Sequence, residues 1–173
     1  HKMLPELFKD SEAEKIMAKM DYDFSTANMG KLPAYVYGTR QELLILGVKE
    51  YLTKYPDAIV VNLGCGLDTS FSFIDNGGCR YVNLDLPDVI ALREKLFELK
   101  DRESNLAHDA LDFAWMDKIG AGENDHVMIF SGGVLYYFKP ADVKALIDAM
   151  AKRFPGGGCL FDYENENMVA RSN

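Results

Sequence analysis

Two glycines flanking a cysteine, Gly64-Cys65-Gly66, and two aspartates further along, Asp85 and Asp109, are the residues whose types and spacing could do chemistry. A Gly-x-Gly segment makes a tight turn whose backbone can approach a ligand closely, because neither glycine carries a Cβ. Asp85 stands 19 residues beyond Gly66, where an acidic side chain can accept hydrogen bonds from both ribose hydroxyls of an adenosine-containing cofactor. Asp109, in His108-Asp109-Ala110-Leu111-Asp112, can meet the adenine amino group, with Ala110 and Leu111 offering apolar surface to the ring. Each residue also has a plainer use: the turn can serve packing alone, Asp85 can be a solvated loop carboxylate, and Asp109 a helix cap or turn residue. His108 invites a role as a base, although a lone histidine at a strand end is more often structural.

These residues can converge only if each follows a strand of one sheet. Ile59-Val60-Val61-Asn62-Leu63 is a short β-branched run that leads straight into Gly64, as expected of a parallel strand covered on both faces. Further strand-like runs occupy 80–84, 105–108, 126–130 and 159–163. Between the second and third, a helix is predicted from Pro87 to about Lys100, with Val89, Ile90, Arg93, Leu96 and Phe97 on one broad face. Another runs from Pro140 to Phe154 and stops at Gly156-Gly157-Gly158. Upstream, Ser11-Glu12-Ala13-Glu14 has the form of a capping box opening a first helix, and a second helix is expected from Gln41 to Tyr55. The stretch 22–38, with Gly30, Pro33 and Gly38, reads as a loop folded over something. Alternating strands and helices imply an α/β fold, a doubly wound and mostly parallel open sheet. Its ligand crevice lies at the carboxyl ends of the strands, beside the switch point.

Composition narrows the class. With 173 residues, 48% hydrophobic and 27% charged, the chain has enough apolar material for one real core and is neither disordered nor membrane-embedded. A formal charge of −8 gives no footprint for tracking a phosphate backbone, so nucleic acid is not an expected partner, nor is a membrane. Cys65, Cys79 and Cys159 are odd in number and far apart, with no histidine at ligand spacing, which argues against a disulfide framework and a metal site. Free thiols and the lack of a signal-like apolar start predict a reducing, cytoplasmic compartment. His1 cannot be an initiator, which suggests a tag remnant or missing upstream sequence.

The residues alone leave two adenosine cofactors open. A dinucleotide fingerprint wants a third glycine where Thr69 stands, which weakens a pyrophosphate site. S-adenosyl-L-methionine has adenine and ribose but no phosphate, and the same acidic hook serves it. Longer stretches carry a resemblance. Val60 to Thr69 and Asn83-Leu84-Asp85-Leu86-Pro87-Asp88-Val89-Ile90, with Arg93, resemble the "VNLGxGLDTR" and "DLPxVIxxR" motifs of the leucine carboxyl methyltransferase family, which also contains polyketide-type O-methyltransferases of the tetracenomycin type. Phe130 to Phe138 is similar to that family's "EGVLxYL" loop, and Phe8-Lys9-Asp10 through Asp21-Tyr22-Asp23-Phe24 to its N-terminal region.

The resemblance implies a Rossmann-like class I methyltransferase fold over 41–173, preceded by a helical or lid segment over 1–40, with S-adenosyl-L-methionine as methyl donor. By position Gly64 and Gly66 would line the methionyl end, Asp85 would hold the ribose, Asp109 with Ala110 would meet the adenine, and Leu86 would be a further cofactor-binding residue. Arg40 matches an arginine that helps bind the cofactor's carboxylate. Ser70 stands where the family has arginine after "LDT", and Gly132 where it has the glutamate of "EGVL". The fold implied has more strands than the five counted here, so the chain is expected to be a portion of its protein. The acceptor would be a carboxylate or hydroxyl of a polyketide-like small molecule or a protein C-terminus. No convincing base is visible, which favours an acceptor already ionised. Tyr136 and Tyr137 could line the acceptor pocket or belong to the core. A nicotinamide-dependent oxidoreductase and a non-catalytic cofactor-binding module are the rival readings.

Overall fold

The computed structural model describes residues 9–24 and 30–163. The Phe8 end of the N-terminal resemblance and the terminal run 164–173 lie outside the described residues. The described elements are α1 (Ser11–Lys19), α2 (Lys31–Lys54), β1 (Ile59–Leu63), α3 (Phe71–Ile74), β2 (Arg80–Asp85), α4 (Pro87–Leu96), β3 (Glu103–Ala107), α5 (Trp115–Lys118), β4 (Val127–Ser131), α6 (Pro140–Arg153) and β5 (Gly158–Phe161). The five strands form one sheet in the order β3-β2-β1-β4-β5, every pairing parallel. The fold is therefore the Rossmann-like α/β architecture that the strand–helix alternation predicts.

The centre of the sheet is its driest part. All residues of β1 and β4 are buried, as their mostly apolar runs suggest, and the polar ones, Asn62 and Ser131, are buried with hydrogen-bond partners, Tyr81 and the Leu63 carbonyl. Alternate side chains go to opposite faces. Ile59, Val61, Leu63, Val127 and Ile129 join Trp115, Leu146 and Met150 on one side, while Val60, Met128 and Phe130 join Leu44, Val48 and Phe71 on the other. Register then decides what meets at the carboxyl edge. Leu63 is level with Leu84, so Gly64 emerges beside Asp85, and the Ser131 hydroxyl donates to the Leu63 carbonyl at 3.0 Å.

Several local expectations are corrected. Asp10, not Ser11, caps α1: its Oδ1 accepts from the Glu12 and Ala13 amides at 3.1 and 2.8 Å, and its Oδ2 accepts from the Thr69 hydroxyl. The helix α2 begins at Lys31, ten residues before the predicted start at Gln41. Pro33 does not break it, because it falls in the first turn, where an N–H would have no helical partner. At its other end α4 stops at Leu96, since Phe97 is already extended at φ −108° and ψ 147°. Strand β3 runs from Glu103 to Ala107 and so begins before the predicted Asn105. No helix among the described residues is long and apolar enough to cross a membrane.

Because Asp10 both caps α1 and binds Thr69, Asp10→Ala should cost about 1–2 kcal/mol in urea unfolding. Ser11→Ala should change the same midpoint by less than about 0.5 kcal/mol, as expected of a surface position that is not the cap.

Candidate functional site

The first functional element is the turn after β1. The Gly64 and Cys65 amides both donate to the Leu84 carbonyl, at 2.8 and 3.1 Å, which fastens the turn to β2. Gly64 has φ +70° and lies so close to Val134 that a Cβ would meet Val134 Cγ2 at 2.5 Å. Both conformation and close approach therefore demand glycine there. Gly66, at φ +48°, donates its amide to Asp85 Oδ2 at 2.7 Å, and the Leu86 amide donates to Asp85 Oδ1 at 2.8 Å. An ionised carboxylate offers about four acceptor sites, so these two bonds leave roughly two unused.

Beneath the turn lies a buried cation. The Arg93 side chain is 1% exposed. Its Nη1 donates to the Gly66 carbonyl at 3.2 Å and the Asp68 carbonyl at 2.7 Å, and its Nη2 reaches Glu103 Oε1 at 3.3 Å. The guanidinium also lies over the Phe97 ring, 4.1 Å from its centroid. Glu103 in turn accepts from Asn83 Nδ2 at 2.9 Å. Further round the turn, Gln41 Nε2 donates to Asp68 Oδ2 at 2.6 Å and to the Ser70 hydroxyl, and Thr69 is tied to Asp10. Burial raises the Asp68 carboxyl above its ordinary value, against the hydrogen bonds from Ser70 and Gln41 and the charge of Arg93. Burial pushes the Cys65 thiol up to about 12, so it is not a nucleophile at neutral pH.

Between the ends of β1, β2 and β3 opens a cavity of about 270 Å³ lined by Gly64, Asp85, Leu86, Asp109, Ala110 and Tyr137, with His108 and Phe138 among its other walls. Six of the predicted site residues thus share one space, and Gly66 joins them through its bond to Asp85. Asp109 is exposed and accepts the Leu111 amide on Oδ1 at 2.9 Å, an Asx turn that lifts the loop. Ala110 is buried at 8% exposure and forms apolar wall. His108 Nε2 stands 3.6 Å from Asp112 Oδ2. Tyr136 and Tyr137 are not core: they are 44% and 78% exposed, with ring centroids 4.6 Å apart. Arg40 does not line the cavity. It lies further along the crevice, next to Gly133, where its Nη1 donates to Asp162 Oδ2 at 3.2 Å.

The leucine carboxyl methyltransferase family model matches residues 5–151. The chain belongs to the leucine carboxyl methyltransferase family. It is 27% identical over 154 residues to the tetracenomycin polyketide synthesis O-methyltransferase TcmP of Streptomyces glaucescens. That match covers 88% of this chain and 56% of TcmP, so the chain spans little more than half the length of that relative. Among solved structures, it resembles the N-methyltransferase NodS from Bradyrhizobium japonicum WM9, in complex with S-adenosyl-L-homocysteine, with TM-score 0.57 and 17% identity, covering 94% of this chain and 78% of NodS. An O-methyltransferase family protein from Burkholderia thailandensis matches with TM-score 0.53 and 17% identity over 90% of this chain and 50% of its own. At these identities the structural likenesses describe the fold.

The family motifs take on physical meaning in this geometry. Arg93 matches the second motif in sequence, but its role beneath the glycine turn was not read from it. Its signal was a charged residue on an otherwise apolar helix face. Ser70, at the position of the family's arginine, is 1% exposed and bonded to Gln41, so a small buried hydroxyl fills that place. Neither Gln41 nor Asp162 carried any local signal.

Removing Arg93 would leave two turn carbonyls and the Glu103 carboxylate without their shared donor. Arg93→Met should therefore cost about 3 kcal/mol or more in urea unfolding. A loss below about 1 kcal/mol would contradict this role.

Proposed function

We propose that this chain is the cofactor-binding part of an S-adenosyl-L-methionine-dependent O-methyltransferase, acting on a carboxylate or hydroxyl of a small molecule or of a protein C-terminus. The observation that carries the reading is Asp85: it is locked by the Gly66 and Leu86 amides at the switch point and still has acceptor capacity facing the cavity. The residues fit an adenosyl group. Two vicinal ribose hydroxyls match the two unused acceptor sites, Ala110 and Leu86 supply apolar surface for a ring, and Asp109 Oδ2 stands at the rim as an acceptor for an exocyclic amine. The cavity, at about 270 Å³, suits the nucleoside portion, with the rest of the ligand continuing along the crevice. Arg40 would pair with a carboxylate there.

When bound, S-adenosyl-L-methionine supplies a methyl group activated by a sulfonium. The chain's own task is positioning, since an in-line displacement gains most from holding the acceptor oxygen in line and close. Gly64 keeps the floor of the crevice free of side-chain bulk, and Val134 packs against it to exclude water. Tyr137, exposed at the rim of the same cavity, is the residue we assign to the acceptor side, with its neighbour Tyr136. A carboxylate acceptor needs no base, being ionised at neutral pH. We assign a covering role to the N-terminal part of the chain, whose helix α1 is fastened to the sheet domain where Asp10 accepts from Thr69, Glu12 accepts from Ser72 and Lys100, and Lys19 donates to the Leu96 carbonyl. Cys65 and Cys79, both free and buried, suit a reducing, cytoplasmic setting.

The nicotinamide reading is disfavoured by a specific contact. Thr69, at the position of the third glycine, donates to the buried Asp10 carboxylate, and a carboxylate beside the turn would repel a pyrophosphate. Isothermal titration should show S-adenosylhomocysteine binding and no NAD binding. Asp85→Ala should weaken S-adenosylhomocysteine by about two orders of magnitude, as two charge-assisted hydrogen bonds are lost. Unchanged affinity in that variant would refute the placement.

A further inference from the structure

Helix α1 is tied to two elements at once by polar contacts. Towards the glycine turn and α3, the Thr69 hydroxyl donates to Asp10 Oδ2 and the Ser72 hydroxyl donates to Glu12 Oε2 at 2.6 Å. Towards α4, Lys100 Nζ donates to Glu12 Oε2 at 2.6 Å and to Ser72 Oγ at 2.7 Å, while Lys19 Nζ donates to the Leu96 carbonyl at 2.8 Å. The hydrogen bond from Lys100, followed by that from Ser72, holds the Glu12 carboxyl below its ordinary value. Apolar burial adds little. Ile16 is the buried residue of α1, and among the described residues neither apolar cluster of the core takes a side chain from this helix. A nine-residue helix is marginal on its own, so α1 is either docked and helical or released, and the core stays intact in both states. Glu12 and Lys100 are partly exposed, so salt screens their pairing and favours release.

The elements beneath α1 are those that shape the turn. Thr69 closes the run in which the Gly66 amide holds Asp85. A second route starts at the Lys100 amide, which donates to Glu103 Oε2 at 3.2 Å. Glu103 pairs with Arg93, and Arg93 holds the Gly66 and Asp68 carbonyls. A gap of about 10 Å³, no larger than one water, lies among Glu12, Thr69, Arg93, Lys100 and Glu103. Thr69, Ser72, Leu96 and Lys100 do not line the 270 Å³ cavity, so α1 bears on a ligand there through the turn and α4.

We propose that α1 is an electrostatic clasp whose docking sets the glycine turn for the cofactor, with Asp10, Glu12 and Lys100 as positioning residues. This deepens the adenosyl reading of the cavity and rests on it. With α1 docked, the turn is held by Arg93 at Gly66 and Asp68 and by Asp10 at Thr69; with α1 released, the hold at Thr69 is lost. Linkage makes the effect mutual: docking of α1 favours the ligand, and the ligand favours docking by the same factor.

The test is titration calorimetry of the protein and its Glu12→Ala variant with S-adenosylhomocysteine, at about 50 mM and about 500 mM sodium chloride. Wild-type affinity is expected to fall about fivefold between the two salts, and the variant to be about fivefold weaker at low salt with little further loss at high salt. Salt acts alike on the ligand's own charges in both proteins, so the difference between them isolates the clasp. Hydrogen exchange of the α1 amides supplies the second readout: it should slow when S-adenosylhomocysteine binds the wild type. A helix with a structural role alone would lower the urea midpoint of Glu12→Ala and leave ligand affinity untouched, which would overturn the proposal. Equal salt dependence in the two proteins would overturn it too, as would α1 exchange that ignores the ligand. A wild-type protein that does not bind S-adenosylhomocysteine would overturn the adenosyl reading and this proposal with it.

Discussion

The arrangement depends on one buried cation. A guanidinium at 1% exposure must be paired or it is too costly to bury, and Arg93 is paired through its two Nη atoms with two backbone carbonyls of the glycine turn and with Glu103 of β3, while its Nε has no hydrogen-bond partner. With the Gly66 and Asp68 carbonyls drawn down to Arg93, the Gly66 amide is left free for Asp85. One side chain on α4 thereby couples the turn after β1 to the end of β2 and to the start of β3. The turn's shape, and with it the position of Asp85, follows from satisfying that charge.

Sheet topology converts this local constraint into a row of stations. With the order β3-β2-β1-β4-β5, the carboxyl edge presents Asp109, Asp85, Gly64, Gly133 and Asp162 in succession. Chain reversal at β1 and β4 opens the crevice there, since crossovers leave in opposite directions. A ligand lying across the strand ends meets, in order, an acceptor at the rim, a locked carboxylate, a bare glycine surface and a charge pair. Three of these stations are held by neighbours: the Gly66 and Leu86 amides for Asp85, Val134 against Gly64, and Arg40 for Asp162.

Much of this was legible in the sequence because strand ends carry local signals. The β-branched run ending at Leu63, the glycines after it and an aspartate 19 residues beyond Gly66 specify the β1 and β2 stations without any long-range contact. Helix starts were harder. Pro33 and Gly38 read as breakers, yet the first lies where a helix has spare amides, and the apolar side chains of its first turns face outward rather than forming a stripe. Ser11 and Asp10 are both good caps, and the long-range bond from the Thr69 hydroxyl to Asp10, which helps hold that carboxylate over the Glu12 and Ala13 amides, leaves no local trace in the sequence. Asp162 with Arg40, and Gln41 with Asp68, join positions far apart in sequence, and no periodicity or motif encodes such pairings.

The central claim is that the cavity at the ends of β1, β2 and β3 receives the nucleoside of an adenosyl cofactor. A crystal structure of the protein with S-adenosylhomocysteine tests it most directly. The account predicts both ribose hydroxyls within hydrogen-bond distance of the Asp85 carboxylate and the adenine ring against Ala110. A nucleoside bound elsewhere, or a ribose turned away from Asp85, would contradict it.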